Sequence, residues 1–117
     1  MPSTQTIAAT NRLLAVLPSK DRQHLLSGCE QVELVFGNIL YKRGETIRYV
    51  YFPIDSFISL ETPIDGHSSL EVALVGNEGM YGTPLMLGVN VSPLHAVVQG
   101  PGPAWRMDAE RFHSELK

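Results

Sequence analysis

Leu70-Glu71-Val72-Ala73-Leu74-Val75-Gly76-Asn77-Glu78-Gly79-Met80-Tyr81-Gly82-Thr83-Pro84-Leu85-Met86-Leu87-Gly88 (residues 70–88) decides how this chain is read. Its first six residues form a short apolar run of the kind that makes a strand. Gly76 to Gly82 is too rich in glycine for a central strand. Thr83-Pro84 then opens a helix, with Thr83 expected at the N-cap and Pro84 at the first helical position. Leu85, Met86 and Leu87 complete one tight turn before Gly88 stops it. A strand, a glycine-rich link and a one-turn helix follow one another within nineteen residues.

On both sides of this stretch the chain is a series of short strands. Val32, Leu34 and Phe36 alternate with Glu33 and Val35 as in a half-buried strand. Gly37-Asn38 turns the chain into Ile39-Leu40-Tyr41, and Lys42-Arg43-Gly44-Glu45 turns it again. Tyr49-Val50-Tyr51-Phe52 is dense in β-formers, and Phe57 to Glu61 follows the break at Pro53 and Asp55. Asp65-Gly66 is the clearest hairpin signal. Downstream, His95 to Gln99 resumes the sheet, Gly100-Pro101-Gly102-Pro103 predicts a turn, and Ala104 to Met107 predicts a last strand. Strands this short and this evenly spaced indicate a sandwich or roll.

Helices are expected at the ends. Leu13, Leu14 and Leu17 share one face until Pro18 ends the segment. Ser19 is expected to cap a second helix, with Asp21 in its first turn and Leu25, Leu26 and Cys29 as its stripe up to Gly28. Asp108 caps a final helix from Ala109. Residues 1–10 read as a flexible lead-in, and residues 11–117 as one domain.

The bulk numbers narrow the possible functions. The chain has 117 residues, 44% of them hydrophobic, with nine Lys and Arg against twelve Asp and Glu. One core is affordable at that length, and disorder would need fewer apolar residues. The nine basic residues are scattered, so no patch exists to grip nucleic acid phosphates. Cys29 is the single cysteine. It excludes an internal disulfide or a multi-cysteine metal centre, and reads as a small buried apolar residue in a cytoplasmic protein. No signal peptide or membrane-length apolar run is visible.

The order of elements and three motifs carry a family resemblance. Gly37-Asn38-Ile39-Leu40-Tyr41-Lys42-Arg43-Gly44-Glu45 looks like the G-x-x-L-Y-x-x-G-E stretch of cyclic-nucleotide-binding domains. Tyr49-Val50-Tyr51-Phe52-Pro53 followed by Gly66, and Glu71 through Gly82, resemble the Crp/Fnr transcription regulators. The similarity runs from about Asn11 to Leu116. It implies a mainly β fold: an eight-stranded double-stranded β-helix (jelly roll) with short flanking helices, whose pocket holds a small effector. In that family a long helix makes the homodimer and a helix-turn-helix reads DNA; both would lie beyond this chain.

The resemblance also places a pocket. Family members that bind a cyclic nucleotide carry a cassette resembling F-G-E-(M/L)-A-L…R-S-A. Backbone N–H groups of a short helix and an Arg hold the phosphate, and the Glu accepts from the ribose hydroxyl. Tyr81-Gly82-Thr83-Pro84-Leu85-Met86-Leu87-Gly88 matches the first half, and Pro93-Leu94-His95-Ala96 the second. Thr83 stands where Glu is expected, Leu94 where Arg is, and His95 where Ser or Thr is. Pro84 also removes one backbone donor. Candidate ligand-binding residues are therefore Gly82, Thr83, Pro84, Leu85, Leu94, His95 and Ala96. Hydrogen bonds to charged groups contribute roughly 1.5–3 kcal/mol each, so losing two costs about 3–6 kcal/mol. That moves a micromolar ligand to about millimolar or weaker. The expectation is no useful binding of cAMP or cGMP, leaving either an uncharged effector in the pocket or a cavity filled by Leu94 and its neighbours.

Enzymatic readings fare worse. His24, His67, His95 and His113 lack the H-x-H spacing of a cupin metal site. Haem ligation by His95 alone is an alternative that the resemblance offers; the expectation is no cofactor. No G-x-S-x-G surrounds Ser56, Ser59, Ser68 or Ser69, and no Walker ending follows the glycines. Glu78 reads as an exposed turn carboxylate, and Trp105 as packing. The sequence thus points to a non-enzymatic, cytoplasmic sensor domain of a Crp/Fnr-like regulator. DNA contact would come only through a missing C-terminal domain, with no membrane partner and an effector of unknown identity. The alternative is a stand-alone, ligand-free interaction or structural domain of the same fold.

Overall fold

The computed structural model describes residues 11–65 and 68–116. The expected lead-in at 1–10, and Gly66 and His67 of the expected hairpin, lie outside the described residues. Two short helices, α1 (Arg12–Ala15) and α2 (Ser19–Leu26), precede β1 (Cys29–Leu34), β2 (Ile39–Tyr41), β3 (Tyr49–Pro53), β4 (Phe57–Pro63) and β5 (Ser69–Val75). Then come α3 (Thr83–Met86), β6 (His95–Gly100), β7 (Gly102–Asp108) and α4 (Ala109–Glu115).

The strands pair antiparallel in two sheets, β1-β7-β3 and β2-β6-β4-β5. Side chains alternate across each strand, so one face of each sheet goes inward. Ile58, Ala96 and Val98 from one sheet and Leu34, Val50 and Ala104 from the other share a single buried cluster. The helices cover part of it: Leu14 of α1 and Phe112 of α4 are buried, and they border a cleft with Phe52 of β3 and Leu25 of α2.

Seven strands are present among the described residues, where the resemblance implied eight. Two isolated bridges remain outside the strands, Thr46 with Val91 and Tyr51 with Tyr81, the latter with N–H···O distances of 2.9 and 2.8 Å between the two tyrosines. Gly79 and Gly82 on either side of Tyr81 keep the Tyr51–Tyr81 bridge from lengthening, because glycine weakens a strand interior.

Several local expectations shift. Asp108 caps α4 as expected, accepting from Glu110 N at 2.9 Å and Arg111 N at 3.3 Å. Ser19 does not cap α2; Pro18 holds the cap position and Ser19 is the first helical residue. Thr83 does not cap α3 either. Gly82, with φ at +139°, takes that position, and Thr83 becomes the first helical residue. Val35 and Phe36 lie outside β1, because the turn closed by Asn38 N donating to Val35 O begins there. Only Pro101 separates β6 from β7; Gly102 and Pro103, expected in the turn, already belong to β7.

The N-terminal helices form a lid on the roll, and α1 is fastened to it by a residue no periodicity announces. Asn11 is fully buried. Its Oδ1 accepts from Leu14 N at 3.0 Å and caps α1. Its Nδ2 donates to Pro53 O at 2.6 Å and Gly79 O at 3.2 Å, tying α1 to the end of β3 and to the glycine-rich link. Arg12 N adds a 2.6 Å bond to Asn77 O.

Candidate ligand pocket

The short helix sits where two strand-like pairings hold its flanks. On one side is the Tyr51–Tyr81 bridge. On the other, Ile47 N donates to Asn90 O, Ser92 N to Glu45 O and Gly44 N to Ser92 O, at 2.9, 2.8 and 2.7 Å. Gly82 presses directly on β3: a Cβ there would lie 2.2 Å from Val50 Cγ1. Only glycine fits that approach at that φ.

Of the seven residues expected to bind a ligand, Gly82, Leu85 and Ala96 are buried, Pro84, Leu94 and His95 are half-buried, and Thr83 is exposed. Leu85 belongs to the core cluster with Ala96. The His95 ring is engaged: its Nδ1 accepts from Arg43 N at 2.9 Å. A nitrogen that accepts from a backbone N–H carries no proton, so the neutral ring holds its proton on Nε2. That is the opposite of a metal-ligating imidazole, which normally donates through the nitrogen away from the metal. The geometry therefore disfavours haem ligation through Nε2.

Sequence reasoning missed the polar group that occupies this end of the roll. Ser92 is fully buried, and its hydroxyl lies 2.6 Å from both the Tyr81 hydroxyl and Leu94 O. A carbonyl can only accept, so the single Ser92 proton goes to Leu94 O and Tyr81 donates to Ser92. The chain runs one way, from phenol to serine to the backbone of position 94. Tyr41 packs beside it, ring centroid to ring centroid 6.1 Å from Tyr81. The Tyr41 hydroxyl donates to Tyr49 O at 2.9 Å and accepts from Arg48 N and Tyr49 N at 3.1 and 2.9 Å. Burial pushes the Tyr81 and Tyr41 phenols above their usual range, so both remain protonated donors at neutral pH. The tyrosine at position 81, two residues before the short helix, was a visible signal; its partner Ser92 was not.

Clefts on the domain include four with volumes of about 340 to 550 Å³. Leu85 borders one of them; Thr83, Pro84, Leu94, His95 and Ala96 border none of the four. Among the described residues no group of three or more His, Cys, Asp or Glu side chains is placed to hold a metal. No described helix is long and apolar enough to cross a membrane.

The same architecture recurs in solved structures. A regulatory protein from Silicibacter pomeroyi DSS-3 superposes with a TM-score of 0.78 at 22% identity, over 97% of this chain and 52% of that one. The sensor domain of the transcriptional regulator DNR from Pseudomonas aeruginosa gives 0.75 at 16%, over 96% and 75%. The Thermus thermophilus catabolite activator protein gives 0.74 at 16%, over 90% and 49%. The chain has the cyclic-nucleotide-binding fold. It spans about half the length of the first of these neighbours. No family model matches the sequence, and no curated protein matches it. Within the cyclic-nucleotide-binding fold, α3 and its flanks form the segment that the sequence resemblance assigned to the phosphate cassette.

Proposed function

We propose that this chain is the regulatory sensor domain of a Crp/Fnr-like transcription regulator and does not bind cAMP or cGMP in the usual manner. The observation that supports the second half is a closed internal hydrogen-bond network beside the positions where the resemblance expects a charged grip. Leu94 and Thr83 stand where a guanidinium and a carboxylate would be needed. The Tyr81–Ser92–Leu94 hydrogen-bond chain ties up the polar groups beside them. The domain is non-enzymatic and cytoplasmic in this reading. DNA contact and homodimer formation are not assigned to the residues of this domain in this reading.

Fold alone does not assign a ligand. The regulatory subunit of a cAMP-independent protein kinase A from Trypanosoma brucei superposes with a TM-score of 0.79 at 14% identity. A triple variant of that subunit, one of whose substitutions introduces an arginine, is seen with cAMP bound. Those neighbours support separating the roll from its nucleotide chemistry.

Calorimetric titration of the 117-residue chain with cAMP and with cGMP tests the reading. The expected result is no dissociation constant tighter than about 1 mM, equivalent to roughly −4 kcal/mol. A constant below about 10 μM, near −7 kcal/mol, overturns it.

A further inference from the structure

The outer face of the β2-β6-β4-β5 sheet carries an apolar patch between two pairs of carboxylates. Along β4, Phe57, Ser59 and Glu61 alternate with Ile58 and Leu60, and Ile58 is fully buried in the core. The first three side chains therefore take the outer face. Register places Val97 and Leu74 on either side of Ser59, and Ile39 beyond Val97. Ile39, Phe57 and Leu74 are 54%, 42% and 55% exposed. Phe57 is braced from below, since a Cβ on Gly100 would lie 2.2 Å from its ring. Phe57 and Leu74 then border a cleft of about 550 Å³, which Asp55 and Glu78 also line. At the opposite end Glu61 and Glu71 face each other across β4 and β5 and converge on the Ser59 hydroxyl, at 3.1 and 2.8 Å.

Like charges directly opposite on neighbouring strands repel. Among the described residues none of Asp55, Glu61, Glu71 or Glu78 forms an ion pair; the salt bridges there join Glu115 to His24 and Arg111, and Glu30 to Arg106. We propose that this face docks a partner polypeptide segment with an apolar centre flanked by Lys or Arg at both ends. Charge complementarity selects that occupant. A second copy joined through the same face would set four carboxylates against four, and nucleic acid would meet the same repulsion. The cleft volume suits one long basic side chain, whose aliphatic stem lies along Phe57 and Leu74 while its head reaches Asp55 or Glu78.

The test titrates the isotope-labelled 117-residue chain at pH 7.5 with a short peptide of leucines flanked by lysines. A matched peptide flanked by glutamates serves as the control. The lysine peptide is expected to shift the amides of Phe57, Ser59, Glu61 and Leu74. Its affinity should fall at least about fivefold in Glu61→Gln/Glu71→Gln, in Asp55→Asn/Glu78→Gln, and on raising salt from about 50 to about 500 mM. Leu74→Ser should also weaken it, and unchanged thermal midpoints identify variants that remain folded. Equal binding of the glutamate peptide, undiminished binding by the folded variants, or shifts confined to another surface overturns the proposal. So does self-association in sedimentation that Leu74→Ser abolishes.

Discussion

Replacing Asn11 by alanine removes three hydrogen bonds at once, and their separate contributions set the size of the effect. Loss of the α1 N-cap bond to Leu14 N costs about 1 kcal/mol. Stripping the donor from the carbonyls of Pro53 and Gly79 costs about 1–3 kcal/mol where the orphaned oxygen stays buried. Pro53 is itself fully buried, so its carbonyl takes the larger share. Asn11→Ala should therefore destabilise by about 2–4 kcal/mol, lowering the thermal midpoint on the order of 10 °C for a domain of this size. Asn11→Asp separates the two roles. Aspartate caps a helix as well as asparagine does, but it cannot donate, and it sets a carboxylate oxygen against the Pro53 carbonyl, 2.6 Å from the present nitrogen. At pH 7 the Asp variant should lose at least as much as the Ala variant. Urea unfolding followed by circular dichroism measures both. If Asn11→Asp retains wild-type stability, the residue is only a helix cap and the clasp between lid and roll is refuted.

Two further outcomes follow from the site. Gly82→Ala forces a Cβ to 2.2 Å from Val50 Cγ1 at a φ of +139°, and should cost on the order of 3 kcal/mol in thermal unfolding; a loss under about 1 kcal/mol would mean the short helix is free to withdraw from β3. Stability should fall in alkali. Burial raises the Tyr41, Tyr51 and Tyr81 phenols above 10.0 and the Cys29 thiol from 9.0 to about 11. Between its unfolded and folded pKa the native state binds more of each proton, so the stabilisation is complete below pH 9 and declines as pH rises through and beyond 11. Thermal midpoints measured from pH 8 to 11 check this, and Tyr81→Phe should flatten the curve; a midpoint rising over that interval would contradict the sign.

What the sequence revealed, and what it hid, follows the range of each interaction. The short helix at 83–86 and the Asp108 cap were legible because proline at a first turn and aspartate before a helix act through their immediate neighbours. Thr83 failed as a cap because the cap position is decided by contact with Val50, thirty-two residues earlier, which only a glycine tolerates. Thr83 and Leu94 were singled out by motif alone; Ser92 was not, because nothing local distinguishes a buried serine from one in an exposed turn. The pairing of Glu61 with Glu71 depends on an irregularity that skips Val72 in the β4–β5 register. Such a bulge changes which residues share a face, and alternation counted along the sequence cannot detect it. Asn11 was invisible for the same reason: its partners lie 42 and 68 positions away.

The two strand-like pairings that hold the flanks of the short helix give the segment the geometry of a bow with both tips pinned. Tyr81 is fixed to β3, and Asn90 to Ser92 are fixed to the loop before it. Between them Gly82 and Leu85 stay against the core, while Met86 at 53% and Leu87 at 82% exposure face outward. With both tips held and Leu85 seated in the core, the path of the loop from Tyr81 to Asn90 is set by β3 and the loop before it, to which it is pinned, and not by the four residues of the short helix.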